Sequence, residues 1–233
     1  MNLFYQPSIQ QGIFHLDPTE SKHCTKVLRK KVGDKIHITD GKGFLYEAMI
    51  TVAAPGECKF DIQNRKPEEA KSFSIHIAIS PTKHPDRLEW FVEKAVELGV
   101  DRITLMACEH TEQSHFKLER LDKIAISAMK QSLRLSLPTI EGLTDFKTMI
   151  EDTSALSKFI AHVDEGNPGH LMIMAPRNSH YLVLIGPEGD FSSHELQLAD
   201  KEKFLKVSLG SHRLRTETAG LSACHILNLV NIA

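Results

Sequence analysis

Residues 181–195 read YLVLIGPEGDFSSHE, and residues 204–219 read FLKVSLGSHRLRTETA. Each opens with a short apolar run of the kind that forms a buried strand. Each run then empties into a glycine loop, Gly186-Pro187-Glu188-Gly189-Asp190 in one and Gly210-Ser211-His212-Arg213 in the other. A third run, residues 159–163, leads into Asp164-Glu165-Gly166 in the same way. Both longer loops feed a helix: Ser192 with Glu195 makes a capping-box pattern, and Thr216 is the expected cap of the last helix. One glycine turn after a strand is usually only a turn. Three at the carboxyl ends of successive strands describe the edge where open α/β sheets hold ligands, with glycine allowing close backbone approach and positive φ.

Upstream, residues 73–79 and 102–107 read as strands, 117–133 as a helix, 139–143 as a further strand and 145–152 as a short helix. Asp86, with Glu89 three positions on, is the expected cap of a helix carrying Leu88, Phe91, Val92, Ala95 and Leu98 at helical spacing until Gly99. Trp90 lies off that stripe, where a dimer contact and a domain cover are both open readings. Strands alternating with helices predict a mainly parallel α/β sheet covered on both faces. The polar, aperiodic stretch 64–72 marks the expected boundary between domains 1–70 and 71–233. The first domain is β-rich: runs 35–40 and 44–52 are joined by Gly41-Lys42-Gly43 as a hairpin, 58–63 adds a strand and 21–28 a short helix. Lys22, Lys26, Arg29, Lys30, Lys31 and Lys35 face only Asp34 in this region, either as a phosphate-contacting edge or as a solvated helix face.

Composition narrows the classes. With 233 residues, 41% hydrophobic and 25% charged, the chain is globular in type, and 28 basic against 30 acidic side chains announce no nucleic-acid partner in bulk. No apolar run approaches the ~18 residues of a membrane helix and the start lacks a signal-peptide layout, so no membrane partner and a cytoplasmic location are expected. Cys24, Cys58, Cys108 and Cys224 stand far apart without C-x-x-C, which fits reduced thiols. The one near match to H-E-x-x-H, at His194-Glu195, fails at Leu198, and no metal is expected. G-x-G-x-x-G, the phosphate-binding P-loop and G-x-S-x-G are all missing, which disfavours dinucleotides, triphosphates and covalent hydrolysis.

The strings 186–195 and 208–219 closely resemble the bacterial small-subunit ribosomal RNA uridine N3-methyltransferases of the SPOUT superfamily. Further matches run in order along the chain: His23, Val27-Leu28-Arg29, Gly33-Asp34, Arg87-Leu88-Glu89-Trp90, Lys94-Ala95 and Glu97-Leu98-Gly99-Val100, then Arg120, Lys123-Ile124-Ala125, Ala128, Gln131, Arg134 and Pro138. The resemblance implies a small PUA-like, RNA-binding β-barrel followed by an α/β SPOUT domain with a C-terminal deep trefoil knot. It also implies S-adenosylmethionine bound in the knot, a homodimer, and methylation of one uridine in the assembled small ribosomal subunit. Two positions depart from the pattern: Asp190 stands where a second glycine is common, and Asn2-Leu3-Phe4 where an arginine is.

Methyl transfer to a ring nitrogen is an in-line displacement that chiefly demands positioning. Uridine N3 must also lose a proton, with the anion spread over the ring oxygens. Arg215 and Arg213 are candidate electrostatic partners, and Glu217 is a candidate proton acceptor that the helix macrodipole explains equally well. The expected cofactor contacts are Ile185, Gly186, Pro187, Glu188 and Gly189 in one loop and Leu209, Gly210, Leu214, Thr216 and Thr218 after the other. Expected RNA contacts are Lys26, Arg29, Lys30 and Lys31, with Gln131 and Arg134 on one helix face. His212 reads by default as a plain loop residue. A non-catalytic ribosome-assembly factor and a SPOUT enzyme for another nucleoside are the alternative classes.

Overall fold

The computed structural model describes residues 2–112, 116–151, 153–162 and 169–232. The chain divides into two compact units, one formed by Met1–Ala70 with Ile126–Leu137 and the other by Lys71–Ala125 with Pro138–Ala233.

The first unit contains β1 (Leu3–Tyr5), β2 (His15–Leu16), α1 (Pro18–Lys22), β3 (Lys35–Thr39), β4 (Phe44–Ala54) and β5 (Glu57–Pro67). They form a five-stranded mixed sheet in the order β1-β3-β4-β5-β2, in which only β1 on β3 is parallel. Phe4, Ile38, Ile50 and Phe60 lie at its buried centre. Asp17 caps α1 by accepting from the amides of Thr19 and Glu20, and one π turn, His23–Val27, follows. The expected boundary stretch begins as strand, since β5 runs to Pro67. Cross-strand pairing extends it: Arg65 faces Tyr46, and its guanidinium lies 3.8 Å from the centre of the Phe44 ring. Residues 135–137 join this unit through the Thr39 hydroxyl, which donates to the Leu135 carbonyl at 2.8 Å, and the Leu137 amide, which donates to Gly41 at 2.9 Å.

The second unit is a parallel sheet with helices. In chain order its elements are β6 (Ser74–Ile79), α2 (Pro85–Glu97), β7 (Arg102–Ala107), α3 (Leu118–Gln131, whose end clusters with the first unit), β8 (Thr139–Asp145), α4 (Phe146–Glu151), β9 (Ser157–Ala161), α5 (Leu171–Met174), β10 (His180–Ile185), α6 (Ser193–Lys201), β11 (Leu205–Val207) and α7 (Thr216–Asn231). The strand order is β11-β9-β10-β6-β7-β8 and every pairing is parallel. β10 is inserted between β6 and β9. From the sheet edge at β11 the chain returns to set α7 on α2, α5, β6 and β10. Gly220, Ala223, Cys224 and Leu227 form the buried stripe of α7. The expected α/β architecture is therefore the observed one.

Three local expectations are corrected. The cap of α2 is His84 rather than Asp86, because Pro85 takes the first helical position, where its fixed φ and missing N–H fit best. The cap of α7 is Arg215, and Thr216 is its first helical residue. Helix α3 stops at Gln131 and Leu133 turns to φ +60°, so Gln131 and Arg134 do not share a helix face. The capping box at Ser192 and Glu195 is present as expected. Val163 and the loop Asp164-Glu165-Gly166 lie outside the described residues. All four cysteines are free and buried. Among the described residues no helix is long and apolar enough to cross a membrane, and no cluster of His, Cys, Asp and Glu could hold a metal.

Candidate active site

β11, β9 and β10 are neighbours, so Val207, Ala161 and Ile185 end side by side at the carboxyl edge of the sheet. They open onto a cavity of about 650 Å³. Of the expected cofactor contacts, Ile185, Gly186, Pro187 and Glu188 line it from one loop, and Leu209, Gly210, Leu214 and Thr216 from the other. Gly189 and Thr218 do not. The sequence reading missed Ala161, His162, Val207, Asp190 and Ala219, and it left His212, which also lines the cavity, as a plain loop residue. Ala161 and His162 stand at the end of the 159–163 run, so the strand-end rule applied to the other two loops would have found them.

The glycines of the first loop act otherwise than expected. Neither Gly186 nor Gly189 has positive φ; Gly210, at +154°, does, and Asp190 adopts φ +64° in the first loop. A Cβ at Gly186 would come within 3.0 Å of the Phe191 ring, and one at Gly189 within 3.1 Å of His110 Cβ, so a side chain at either position would ask its neighbour to give by a few tenths of an ångström. Asp190 is held on several sides. Its amide donates to the Pro187 carbonyl at 3.0 Å, its carboxylate accepts from the Phe191 amide at 2.8 Å, and His162 Nδ1 lies 3.1 Å from the same carboxylate. The Asp190 carbonyl is 3.0 Å from His110 Nδ1. Aspartate tolerates the left-handed region better than most side chains, so these bonds fix the loop without glycine there.

Further bonds tie the loop, and the start of α6 that follows it, to their surroundings. The Thr216 hydroxyl donates to the Gly186 carbonyl at 3.1 Å, joining the first turn of α7 to the loop after β10. Buried Glu195 accepts from the Ser192 amide at 2.8 Å within the capping box and from the Glu109 amide at 2.9 Å. Burial, with Glu195 adding to it, pushes the nearby Cys108 thiol well above its ordinary range, so it is no thiolate nucleophile at neutral pH.

Arg213 and Arg215 are exposed beside this cavity. A cation at the amino end of a helix opposes the macrodipole, and the Arg215 side chain makes no capping hydrogen bond to α7, although its carbonyl accepts from the Ala219 amide at 2.8 Å. With Leu214 they also line a second cavity of about 690 Å³, bordered by Asp86, Arg87, Trp90, Glu217 and Thr218. Glu217 is buried in the first turn of α7, its Oε1 3.9 Å from Arg87 Nε.

The six expected RNA contacts all lie in the first unit. Lys26, Arg29, Lys31 and Gln131 are exposed, while Lys30 and Arg134 are half-buried. Arg29 takes φ +54°, the Lys30 ammonium donates to the Lys35 carbonyl at 3.2 Å, and the Lys31 amide donates to the Asp34 carboxylate at 2.8 Å. The turn is thus locally braced, with its cationic heads gathered on one short segment.

A family model described as an RNA methyltransferase domain matches residues 68–228, and one described as an RNA methyltransferase PUA domain matches residues 16–63. The chain is 42% identical to a solved structure from Porphyromonas gingivalis described as a probable rRNA-methyltransferase, covering 99% of this chain and 98% of that one with a TM-score of 0.93. A structure from Neisseria gonorrhoeae, described as ribosomal RNA small subunit methyltransferase E bound to S-adenosyl methionine, is 26% identical over 99% of this chain and 98% of its own, with a TM-score of 0.81. Ribosomal RNA small subunit methyltransferase E of Rickettsia conorii is 28% identical over 84% of this chain and 81% of its own.

Proposed function

The chain belongs to the RNA methyltransferase family, and from that premise we propose that it transfers a methyl group from S-adenosylmethionine to N3 of one uridine in small-subunit (16S) ribosomal RNA. We place the reaction in the cytoplasm on the assembled subunit, with the enzyme a homodimer of the SPOUT class. In this reading residues 1–70 are a PUA-like RNA-binding domain and residues 71–233 the methyltransferase domain.

The observation that carries the proposal is the cavity at three adjacent strand ends, lined by the loops that follow β10 and β11. Its 650 Å³ lies within the ~300–1,000 Å³ typical of small-molecule sites. Ile185, Val207, Leu209 and Leu214 offer apolar surface for a flat purine, and backbone groups of Gly186, Glu188, Gly210 and Leu214 are the partners proposed for its edge. The residues present therefore fit S-adenosylmethionine, which when bound supplies an activated methyl carbon. The chain's own contribution is to hold that carbon and the acceptor nitrogen in line and to face Arg213 and Arg215 toward charge developing on the ring oxygens.

Mass spectrometry of small-subunit RNA from a deletion strain, with and without the gene restored, tests this reading. N3-methyluridine should vanish on deletion and return on restoration. Loss of a different modified nucleoside would assign another SPOUT specificity. Unchanged RNA, together with no calorimetric binding of S-adenosylmethionine, would leave an assembly factor without turnover.

A further inference from the structure

The second cavity is bordered by a carboxylate with one unpartnered oxygen, which the cofactor cavity does not explain. Glu217 is only 6% exposed, and its Oε2 has no hydrogen-bond partner. Its Oε1 lies 3.9 Å from Arg87 Nε, too long for a hydrogen bond. An enclosed carboxylate oxygen without a donor costs more than a neutral orphan does, and native structures hold few of them. The torsion that sets a glutamate carboxylate is broad and roughly two-fold, so its rotation exchanges the positions of the two oxygens. Trp90, on α2, lines the same cavity as this carboxylate and is 43% exposed although it sits mid-helix. The charged groups around the cavity are Asp86 and Arg87 from α2 and Arg213 and Arg215 from the loop before α7. An aromatic face, a carboxylate lacking a donor and a cationic margin together match a planar heterocycle with an N–H edge and electron-rich carbonyls.

Resting on the methyltransferase reading, we propose that this second cavity receives the acceptor base. Trp90 is its stacking face, Glu217 takes the proton from the ring nitrogen, and Arg87 is a positioning residue for the Glu217 carboxylate. The N3–H bond breaks with its proton passing to a Glu217 oxygen. The electron pair left on N3 forms the bond to the methyl carbon, displacing the sulfur, which keeps the electrons of the bond it loses. Arg213 and Arg215, common to both cavities, stand where donor and acceptor meet.

Trp90 is the only tryptophan of the chain, so its fluorescence reports on this cavity alone. With S-adenosylhomocysteine present, oligouridylate should quench it saturably in the full-length protein. Trp90→Ala should raise KM for small-subunit RNA at least ~10-fold, on the scale of one lost base stack. Glu217→Gln should keep S-adenosylmethionine affinity and the quench while losing on the order of 10²–10⁴-fold in single-turnover rate. Much of that loss should return on RNA transcribed with 5-fluorouridine, whose ring nitrogen gives up its proton more readily. A near-normal rate for Glu217→Gln, or an equal loss on both RNAs, overturns the proton-acceptor role. Fluorescence that ignores oligouridylate and responds only to protein concentration assigns the cavity to a second copy of the chain and overturns the proposal; this arm uses the wild-type protein and holds even if the variants do not fold. Failure of the wild-type enzyme to methylate small-subunit RNA would instead sink the underlying reading.

Discussion

Gly220→Ala should destabilise the second unit by about 1–2 kcal/mol, although alanine is the better helix former. Gly220 lies inside α7 on the stripe that packs against α2 and β6. An added Cβ would stand 2.7 Å from Phe91 Cε2, 3.2 Å from Phe91 Cδ2 and 3.0 Å from Ile79 Cδ1. Carbon atoms in contact prefer ~3.5–4.0 Å, so the helix or its neighbours must give by roughly 0.5–1 Å. The Ile79 terminal methyl can rotate, but Phe91 and Ile79 are both fully buried, and close packing resists a swing of the ring. Overpacking of this kind costs ~1–3 kcal/mol; the double conflict with a rigid ring places it in the upper half of that range. Helix propensity returns ~1 kcal/mol, which leaves the stated net loss. Urea unfolding followed by far-ultraviolet circular dichroism measures it, and the melting temperature should drop by a few degrees. Phe91→Leu makes room for the methyl, so the double variant should lose at least ~1 kcal/mol less than the sum of the single losses. A Gly220→Ala protein as stable as wild type, with strictly additive effects, would refute the argument that close approach of α7 requires this glycine.

Arg215→Lys keeps a charge but not the planar fork, and should lose on the order of 10²-fold in single-turnover methylation with cofactor affinity and melting temperature unchanged. A parallel fall in all three would make Arg215 a structural brace, and a normal rate would reject both roles. Replacing Arg29, Lys30 and Lys31 together should lower the slope of subunit binding against salt by about 2–3, one phosphate contact each, without touching cofactor binding; an unchanged slope returns the segment to a solvated face. Burial, helped by Arg102, pushes the His76 imidazole down to about 4. Above its ordinary value of 6.5 the group is neutral in both states and adds no pH dependence. As pH falls from there toward 4 the unfolded chain takes up a proton that the folded chain refuses, so stability drops by on the order of 3 kcal/mol over that interval. His76→Gln should flatten this stretch of the stability curve, and coincident curves for the two proteins would disprove the assignment.

Much of the architecture could be read locally. The strand at Arg102–Ala107 falls where the apolar run predicts it, and Ser192 with Glu195 closes the capping box that their spacing announces, because both depend on residues a few positions apart. The cavity's loops were legible for the same reason: a buried apolar run that stops at glycine marks a strand end. What the chain does at long range was not written there. Insertion of β10 between β6 and β9 pairs Tyr181 with Ile75 across more than a hundred residues, and no local propensity chooses between that neighbour and another apolar strand. The parallel pairing of β1 on β3 is of the same kind. Asp190 in the left-handed region, the unpartnered oxygen of Glu217, and the cavity that Trp90 and Glu217 both line exist only once separate elements are packed together. Periodicity and turn chemistry set which segments become strands and helices, since those free energies are local. Which strand ends meet, and which carboxylate is buried without a donor, follows from the burial of whole surfaces against one another, a choice made only in the assembled core.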